Sequence, residues 1–246
     1  MLLAKRKLSI IIPAHNEEGN LTPLVGRIVE ILRGSSLPFE ILIVNDHSMD
    51  CTSREALDLA ESYPEVNAMD NDGPKGMGNA LKKGISRSTG DVVAFVMADG
   101  VDPIENLPSM LLTLEEKHLD VLISSRYARR QDFSGISLGY IFWSRTYYLL
   151  ARALLHLKIK DPTNAFRLVD RTLLDRLRPR QGDFSFSAEI TFMAHTRGFR
   201  VGETPGSHGA RVRGKSSFKF TRVGPSYALV LLKAFLDSPA FKKSVS

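Results

Sequence analysis

The sequence predicts an α/β fold in which a mostly parallel sheet is flanked by helices. Continuous apolar runs rich in β-branched residues recur along the first half of the chain, as is typical of strands buried on both faces of a sheet. Between these runs, apolar residues recur at helical spacing. Strands that alternate with helices indicate a parallel sheet. The predicted strands are residues 8–13, 39–44, 66–69, 91–97 and 120–124.

The predicted helices follow the strands in order. The first three cover residues 21–32, 56–63 and 104–114, where apolar residues recur every three or four positions. Beyond a polar loop at 128–137 comes an aromatic-rich helix at 138–157, then a short strand-like segment and two further helical stretches. The second half is therefore expected to extend the α/β core with an additional helical layer.

Composition limits the class of protein. The chain has 246 residues, of which 43% are hydrophobic and 24% charged, so a folded globular protein is expected. Arg145 and Arg152 interrupt the longest apolar stretch, and no membrane-spanning segment is predicted. The single cysteine, Cys51, excludes an internal disulfide and fits the reducing cytosol. A net charge of +6 favours an anionic partner, whether nucleotide, phospholipid surface or nucleic acid.

Polar segments follow three of the predicted strands, where ligands bind in parallel α/β sheets. They read PAHNEE at 13–18, NDHSMD at 45–50 and ADGVDP at 98–103. The chain has neither the G-x-G-x-x-G fingerprint of dinucleotide-binding proteins nor a P-loop. A Gly-rich helix start at 75–80 is by itself as consistent with a turn as with a phosphate site.

An ordered series of motifs resembles the family-2 glycosyltransferases of the GT-A fold, specifically their dolichol-phosphate mannosyltransferase-like branch. The resemblance covers nearly the whole chain. The matching segments are PAHNE at 13–17, NDHSMDCT at 45–52, KGMGNA at 75–80, SSRY at 124–127, DPTNAFR at 161–167, FSAE at 186–189 and RVRGKS at 211–216.

The resemblance implies an inverting enzyme that moves a hexose, with mannose the first expectation, from a nucleoside-diphosphate sugar to a polyprenyl phosphate. Residues 1–126 would form the nucleotide-sugar half and residues 127–246 the acceptor half of one continuous catalytic domain. Two alternatives stay open: a hydroxyl acceptor on a saccharide or small molecule, and a binding protein for nucleotide-sugars or anionic lipids without catalysis. Nucleic acid ranks last as a partner, because no recognised binding module is present.

By the same resemblance, several residues would contact the donor. Pro13, Glu17 and Asp46 would hold the base and ribose of the nucleotide. For Asp46 and Asp50, an Asx turn or a role in capping the following helix is the structural alternative. The remaining predicted donor-site or substrate-site residues are Asn16, Lys75, Gly76, Gly78, Asp99, Arg167, Glu189, Arg213, Lys215 and Ser216.

The metal site departs from the family pattern, because the D-x-D motif reads Met97-Ala98-Asp99 here. A thioether is a poor ligand for Mg²⁺ or Mn²⁺, which prefer oxygen ligands and often bind through one or two carboxylates plus substrate phosphates. The resemblance therefore implies a metal held by Asp99. Asp102 is a second candidate ligand, although its position also suits the N-cap of the next helix.

The acceptor would be held by cations, since a polyprenyl phosphate arrives already anionic. Asp99, Arg126 and Arg211 are the predicted catalytic residues, and Arg126 and Arg211 occupy the family's phosphate-binding positions. Arg167 and Glu189 are expected to pair with each other across the site.

Two apolar segments, 138–157 and 227–236, are expected to lie at a lipid interface. The first is crowded with aromatic residues and carries Arg145 and Arg152 on one face, and a buried core or dimer helix is the alternative. The chain would then sit peripherally on the cytoplasmic face of a membrane, or a partner subunit would anchor it.

Overall fold

A computed structural model describes residues 6–127, 138–206, 220–239 and 241. In chain order, the first half comprises β1 (Leu8–Ala14), α1 (Leu21–Gly34), β2 (Phe39–Asn45), α2 (Thr52–Ser62), β3 (Val66–Asp70), α3 (Met77–Arg87), β4 (Val92–Phe95), a 3₁₀ turn (Ile104–Asn106), α4 (Leu107–Glu116) and β5 (Val121–Ser125). The second half comprises α5 (Leu138–Leu155), β6 (Arg167–Asp170), α6 (Arg171–Leu177), α7 (Phe186–Thr196), β7 (Val201–Pro205) and α8 (Phe220–Asp237).

The seven strands form one sheet in the order β3-β2-β1-β4-β6-β5-β7. All neighbouring pairs are parallel except those of β6, which runs antiparallel to both β4 and β5. The predicted α/β class with a mostly parallel sheet is therefore confirmed. Because β1, β2 and β4 are adjacent and parallel, the polar segments that follow them emerge at one edge.

The sheet lies between two hydrophobic layers, since successive strand residues point to opposite faces. On one face, Ile10 and Ile12 pack against α1, α2 and α4. On the other, Ile11 packs in a core with residues of α3, α5, α6, α7 and α8. Helix α3 and the helices of the second half thus cover the face that α1, α2 and α4 leave open. No helix in the described ranges is long and apolar enough to cross a membrane.

Candidate active site

The loops after β1 and β2 are joined into one surface by hydrogen bonds. The N–H of Asp46 donates to the carbonyl of Ala14 (2.7 Å), and the N–H of Met49 donates to Oδ1 of Asn16 (2.8 Å). Asn16 itself has a left-handed backbone (φ 54°), a conformation that asparagine tolerates better than most residues. Its side chain is therefore part of the loop framework at the predicted donor site.

Glu17 and Pro13 lie on the same edge of the sheet. Pro13 is buried within β1. The N–H of Glu17 donates to Oγ1 of Thr52 (2.8 Å), and its carboxylate accepts a hydrogen bond from the Asn20 amide (2.6 Å). The carboxylate is thus held close to the ends of β1 and β2, as its predicted donor-site role requires.

Asp46 is buried and connects the end of β2 to the loop before α3. Its carboxylate accepts hydrogen bonds from the N–H of Gly76 (2.8 Å) and from the Asn71 amide (2.8 Å). Asp50 instead forms an Asx turn, in which its Oδ1 accepts a hydrogen bond from the N–H of Thr52 (3.0 Å), the first residue of α2. The Asx-turn alternative therefore holds for Asp50 and is wrong for Asp46, which retains further acceptor capacity on its two oxygens.

Lys75 is held against His15. Nδ1 of His15 lies 2.8 Å from the carbonyl oxygen of Asp46, and Nζ of Lys75 lies 2.7 Å from Nε2 of the same ring. A carbonyl only accepts and an ammonium only donates, so in these two contacts Nδ1 is the donor and Nε2 the acceptor. The exposed Lys75 ammonium is thereby fixed beside the donor-site loops, where it would attract an anionic ligand.

Gly76 and Gly78, at the start of α3, allow close packing of the backbone. A Cβ on Gly76 would lie 2.3 Å from the carbonyl oxygen of Gly182, and one on Gly78 would lie 2.6 Å from that of Gln181. Gly76 also has φ +147°, which favours glycine. Both glycines allow the 181–183 backbone to approach α3. Contact of either glycine with a nucleotide stays a prediction.

Three residues after β4 form the predicted metal region. Met97 is partly buried and packs against the core, which explains an apolar side chain there. The Asp102 carboxylate accepts a hydrogen bond from the N–H of Met97 (2.8 Å) and does not cap the following helix, so the N-cap alternative is wrong. Burial is the main reason that the pKa of Asp102 rises to about 7; the nearby Asp99 charge raises it further, while the Met97 N–H and Arg126 oppose the rise.

The carboxylates of Asp99 and Asp102 offer hard oxygen donors of the kind that Mg²⁺ and Mn²⁺ prefer. Within the described ranges, no group of three His, Cys, Asp or Glu side chains is placed to hold a metal. Asp99 with Asp102 beside it fits an ion that takes its remaining ligands from water and a substrate diphosphate. These two carboxylates are too few for a metal ion that takes all its ligands from the protein.

Arg126 is anchored by a bidentate ion pair at the end of β5. Its Nε and Nη2 donate to the two carboxylate oxygens of Asp161 at 2.7 Å each, and its backbone N–H donates to Oδ2 at 3.0 Å. Both side chains are buried. The guanidinium also lies against the Tyr127 ring, 5.7 Å from its centroid. Arg126, the predicted phosphate-binding residue, is thus held in one orientation by Asp161 from the segment DPTNAFR.

The predicted pair of Arg167 and Glu189 is wrong. Arg167 is fully buried and donates to backbone carbonyls and to Oγ1 of Thr191 (2.8 Å), while Glu189 accepts from the backbone N–H groups of Arg180 (2.9 Å) and Gln181 (2.8 Å). Burial lowers the pKa of Arg167 to about 9, so the group stays protonated at neutral pH. Each side chain stabilises a different loop, because its partners include backbone groups of that loop and not the other side chain.

Arg145 is a candidate that the motifs did not identify. Its guanidinium lies 4.9 Å from the centroid of the Tyr127 ring, and the Tyr127 hydroxyl lies 2.5 Å from Oγ of Ser144. The start of α5 therefore packs over the end of β5, which brings a second cation close to Arg126. The sequence placed Arg145 on an aromatic-rich helix, but the direction of that helix depends on tertiary packing.

Four predicted site residues, Arg211, Arg213, Lys215 and Ser216, lie outside the described residues, as does the predicted loop 128–137. Most of the others lie at one edge of the sheet, with the donor-site residues at the ends of β1 and β2 and the start of α3, the carboxylates after β4 and Arg126 after β5. Arg167 and Glu189 lie behind this edge as supports of the backbone.

The sequence is similar to curated glycosyltransferases. It is 30% identical over 220 residues to a dolichol-phosphate mannosyltransferase of Pyrococcus furiosus, covering 87% of this chain and 59% of that protein. It is 27% identical over 214 residues to a dolichyl-phosphate beta-glucosyltransferase of Trichomonas vaginalis, covering 80% of this chain and 62% of that protein. The chain spans less than two thirds of the length of these relatives.

The fold is similar to that of solved glycosyltransferase structures. A crystal structure of glucosyl-3-phosphoglycerate synthase from Mycobacterium tuberculosis with Mn²⁺, uridine diphosphate and phosphoglyceric acid superposes with a TM-score of 0.72 at 18% identity, covering 94% of this chain and 79% of that one. The model of the family described as "Glycosyl transferase family 2" matches residues 9–178, which is more than half of the chain. The chain therefore belongs to glycosyl transferase family 2.

Proposed function

We propose that this protein transfers a hexose, with mannose the first candidate, from a nucleoside-diphosphate sugar to the phosphate of a polyprenyl phosphate. The two relatives named above act, by their names, on dolichol phosphate. In this chain, the cations at the end of β5 and an apolar groove between α5 and α8 support the same class of acceptor.

The donor would bind across the ends of β1, β2 and β4. The Glu17 and Asp46 carboxylates lie where they would accept hydrogen bonds from the ribose and base, and the Lys75 ammonium beside them would attract the diphosphate. Asp99 and Asp102 would hold Mg²⁺ or Mn²⁺, which when bound supplies positive charge to the leaving diphosphate. The solved relative that contains Mn²⁺ and uridine diphosphate supports this type of donor complex.

An apolar groove between α5 and α8 is the observation that carries the lipid acceptor. Its volume is about 450 Å³, and its lining is almost entirely apolar. Thr163 lies on its wall, two residues after the Asp161 that anchors Arg126. A chain of isoprene units in this groove would place its phosphate near the cations at the end of β5. The main lining residues are Trp143, Tyr147, Leu150, Tyr227, Leu231 and Phe235.

The chemistry follows from the charge of the acceptor. A phosphate oxygen is already anionic at neutral pH and attacks the anomeric carbon without a general base. The bond from that carbon to the donor diphosphate breaks as the new bond forms on the opposite face, so the configuration inverts. Arg126 and Arg145 would orient the attacking phosphate. The Asp161 carboxylate beside this site is engaged by Arg126.

Peripheral contact with the cytoplasmic face of a membrane is part of the proposal, because the acceptor resides there. Large apolar side chains of α5 are exposed beside the apolar groove, among them Phe142, Trp143 and Leu149. Exposed aromatic rings on a helix of this kind favour the headgroup region of a bilayer.

The experiment is transfer of radiolabelled sugar from GDP-mannose, UDP-glucose and UDP-N-acetylglucosamine to polyprenyl phosphate in detergent micelles, with Mn²⁺ and with a chelator. Label that enters the organic phase and is released by mild acid is the expected result, and the donor that gives it names the sugar. Transfer only to a soluble saccharide would favour the hydroxyl acceptor instead. Donor binding without any transfer would indicate a binding protein.

A matched pair of variants tests the apolar groove. Leu150 lines it and Leu57 lies on α2 away from it, and both are 50% exposed. Leu150→Glu should raise KM for the lipid acceptor at least about tenfold, since a charge would enter the site of the isoprenoid chain. Leu57→Glu should leave KM unchanged. Equal kinetics for the two variants would exclude this groove as the acceptor site.

A further inference from the structure

A second groove lies on the other side of α8, between α6, α7 and α8, and its volume is about 560 Å³. We call it the basic groove. It is lined by five cationic side chains and two carboxylates, Glu189 and Asp237. The cations come from three separate parts of the chain that only the fold brings together. They are Arg176, Arg178, Arg180, Arg197 and Lys233.

The five cations of the basic groove outnumber its two carboxylates, so the groove carries an excess of positive charge within the described part of the chain. No ion pair there joins any of the five cations to a carboxylate. The Arg178 and Arg197 guanidinium groups donate to backbone carbonyls, which leaves their charge in place. Glu189 accepts hydrogen bonds from two backbone N–H groups at the rim. All five cations are exposed to solvent.

The outer surface of α8 adjoins the basic groove and is apolar. Leu229, Leu232 and Leu236 are 44%, 53% and 44% exposed, and their spacing of three and four residues puts them on one helical face. Lys233 follows Leu232 and lines the basic groove. Helix α8 therefore presents a stripe of exposed leucines beside the basic groove, to which it contributes Lys233. An apolar helix face next to a cluster of cations suits the headgroup region of an anionic bilayer.

We infer that the basic groove binds the phosphate groups of anionic phospholipids, while the α8 leucines contact the acyl boundary of the same bilayer. The inference concerns a site separate from the transfer site and goes beyond the proposed reaction. It assigns a lipid class, because zwitterionic headgroups carry no net charge for the excess of positive charge in the basic groove to attract. It also gives the chain an orientation, with α8 against the membrane and the apolar groove opening beside it.

The test is co-sedimentation of the full chain with vesicles of phosphatidylcholine alone, and with vesicles of phosphatidylcholine and phosphatidylglycerol in equal parts. Binding should be far stronger to the second and should fall at high NaCl concentration. The Arg197→Glu/Lys233→Glu variant should lose binding by at least about tenfold, since each basic residue at an anionic surface contributes about fivefold. The control, Arg87→Glu/Lys117→Glu, makes the same change in net charge on exposed residues of α3 and the α4 end, and should retain binding.

Two results would overturn the inference. One is equal binding to both kinds of vesicle, which would leave only the apolar face as the contact. The other is equal loss in both double variants, which would indicate attraction by net charge alone. Sugar transfer in detergent micelles should be the same for wild type and both variants. If wild type transferred no sugar, the proposed reaction would fail while the vesicle result would stand.

Discussion

The buried pair of Arg126 and Asp161 makes a quantitative prediction. The Asp161→Asn variant keeps the shape of the side chain but removes its charge, so the buried Arg126 guanidinium loses its ion-pair partner. The amide also presents an NH₂ group where one carboxylate oxygen accepted hydrogen bonds. Breaking a buried pair on one side costs about 3–5 kcal/mol, and we expect about 3 kcal/mol here because one oxygen acceptor remains.

The magnitude follows from burial, and an exposed pair provides the control. Arg54 and Asp58 are joined at 2.9 Å, with side chains 75% and 53% exposed. Asp58→Asn should therefore cost about 0.5 kcal/mol or less. The measurement is the free energy of unfolding of each variant from urea denaturation, and the variants are compared only where their m-values are equal.

A third variant separates charge burial from other effects. Arg126→Gln/Asp161→Asn removes both charges and should be more stable than Asp161→Asn alone, because position 126 then holds no buried guanidinium that has lost the charge of Asp161. A loss below about 1 kcal/mol for Asp161→Asn, or a double variant no more stable than the single one, would refute this account of how Arg126 is held.

Three further predictions concern the rest of the site. Gly78→Ala should lower the free energy of unfolding by about 1–3 kcal/mol, because its Cβ would lie 2.6 Å from a backbone oxygen, whereas Gly34→Ala meets nothing within 4 Å and should not destabilise the protein. The pKa of Asp102 is raised from 3.8 to about 7, so between pH 4 and pH 7 unfolding releases its proton. The free energy of unfolding of the wild type, measured by urea titration, should therefore fall relative to that of Asp102→Asn as pH rises from about 4 to 7. Parallel pH profiles for the two proteins would contradict this. Asp99→Ala should weaken Mn²⁺ binding, measured by calorimetry with nucleoside diphosphate present, by at least about tenfold and more than Asp102→Ala does; unchanged affinity would remove Asp99 from the metal site.

The fold of the first half follows from local patterns in the sequence. Each predicted strand there is present within three residues of its predicted ends, since apolar runs of β-branched residues have few stable alternatives to a buried strand. The segments PAHNE and NDHSMD were placed correctly at one edge, because the ends of adjacent parallel strands meet there. The antiparallel direction of β6 could not be read from its few residues, because the path of the chain decides it.

Partners of individual polar groups were less predictable. Asp46 and Asp50 lie four residues apart in one turn, yet one binds the loop before α3 and the other forms an Asx turn at the start of α2. Arg167 and Glu189 were expected to pair by their charges, but each binds nearby backbone groups. Residue type shows that a buried charge needs partners, and only three-dimensional proximity decides which partners it finds.

By itself, the sequence determined the α/β class, the family and the edge of the sheet at which ligands meet, because periodicity and ordered motifs are local properties of the chain. Tertiary structure alone decided that Asp161 anchors Arg126, that α5 brings Arg145 over Tyr127, and that α8 separates an apolar groove from a basic one. These features join residues far apart in the chain, and their contacts depend on how helices pack on the sheet.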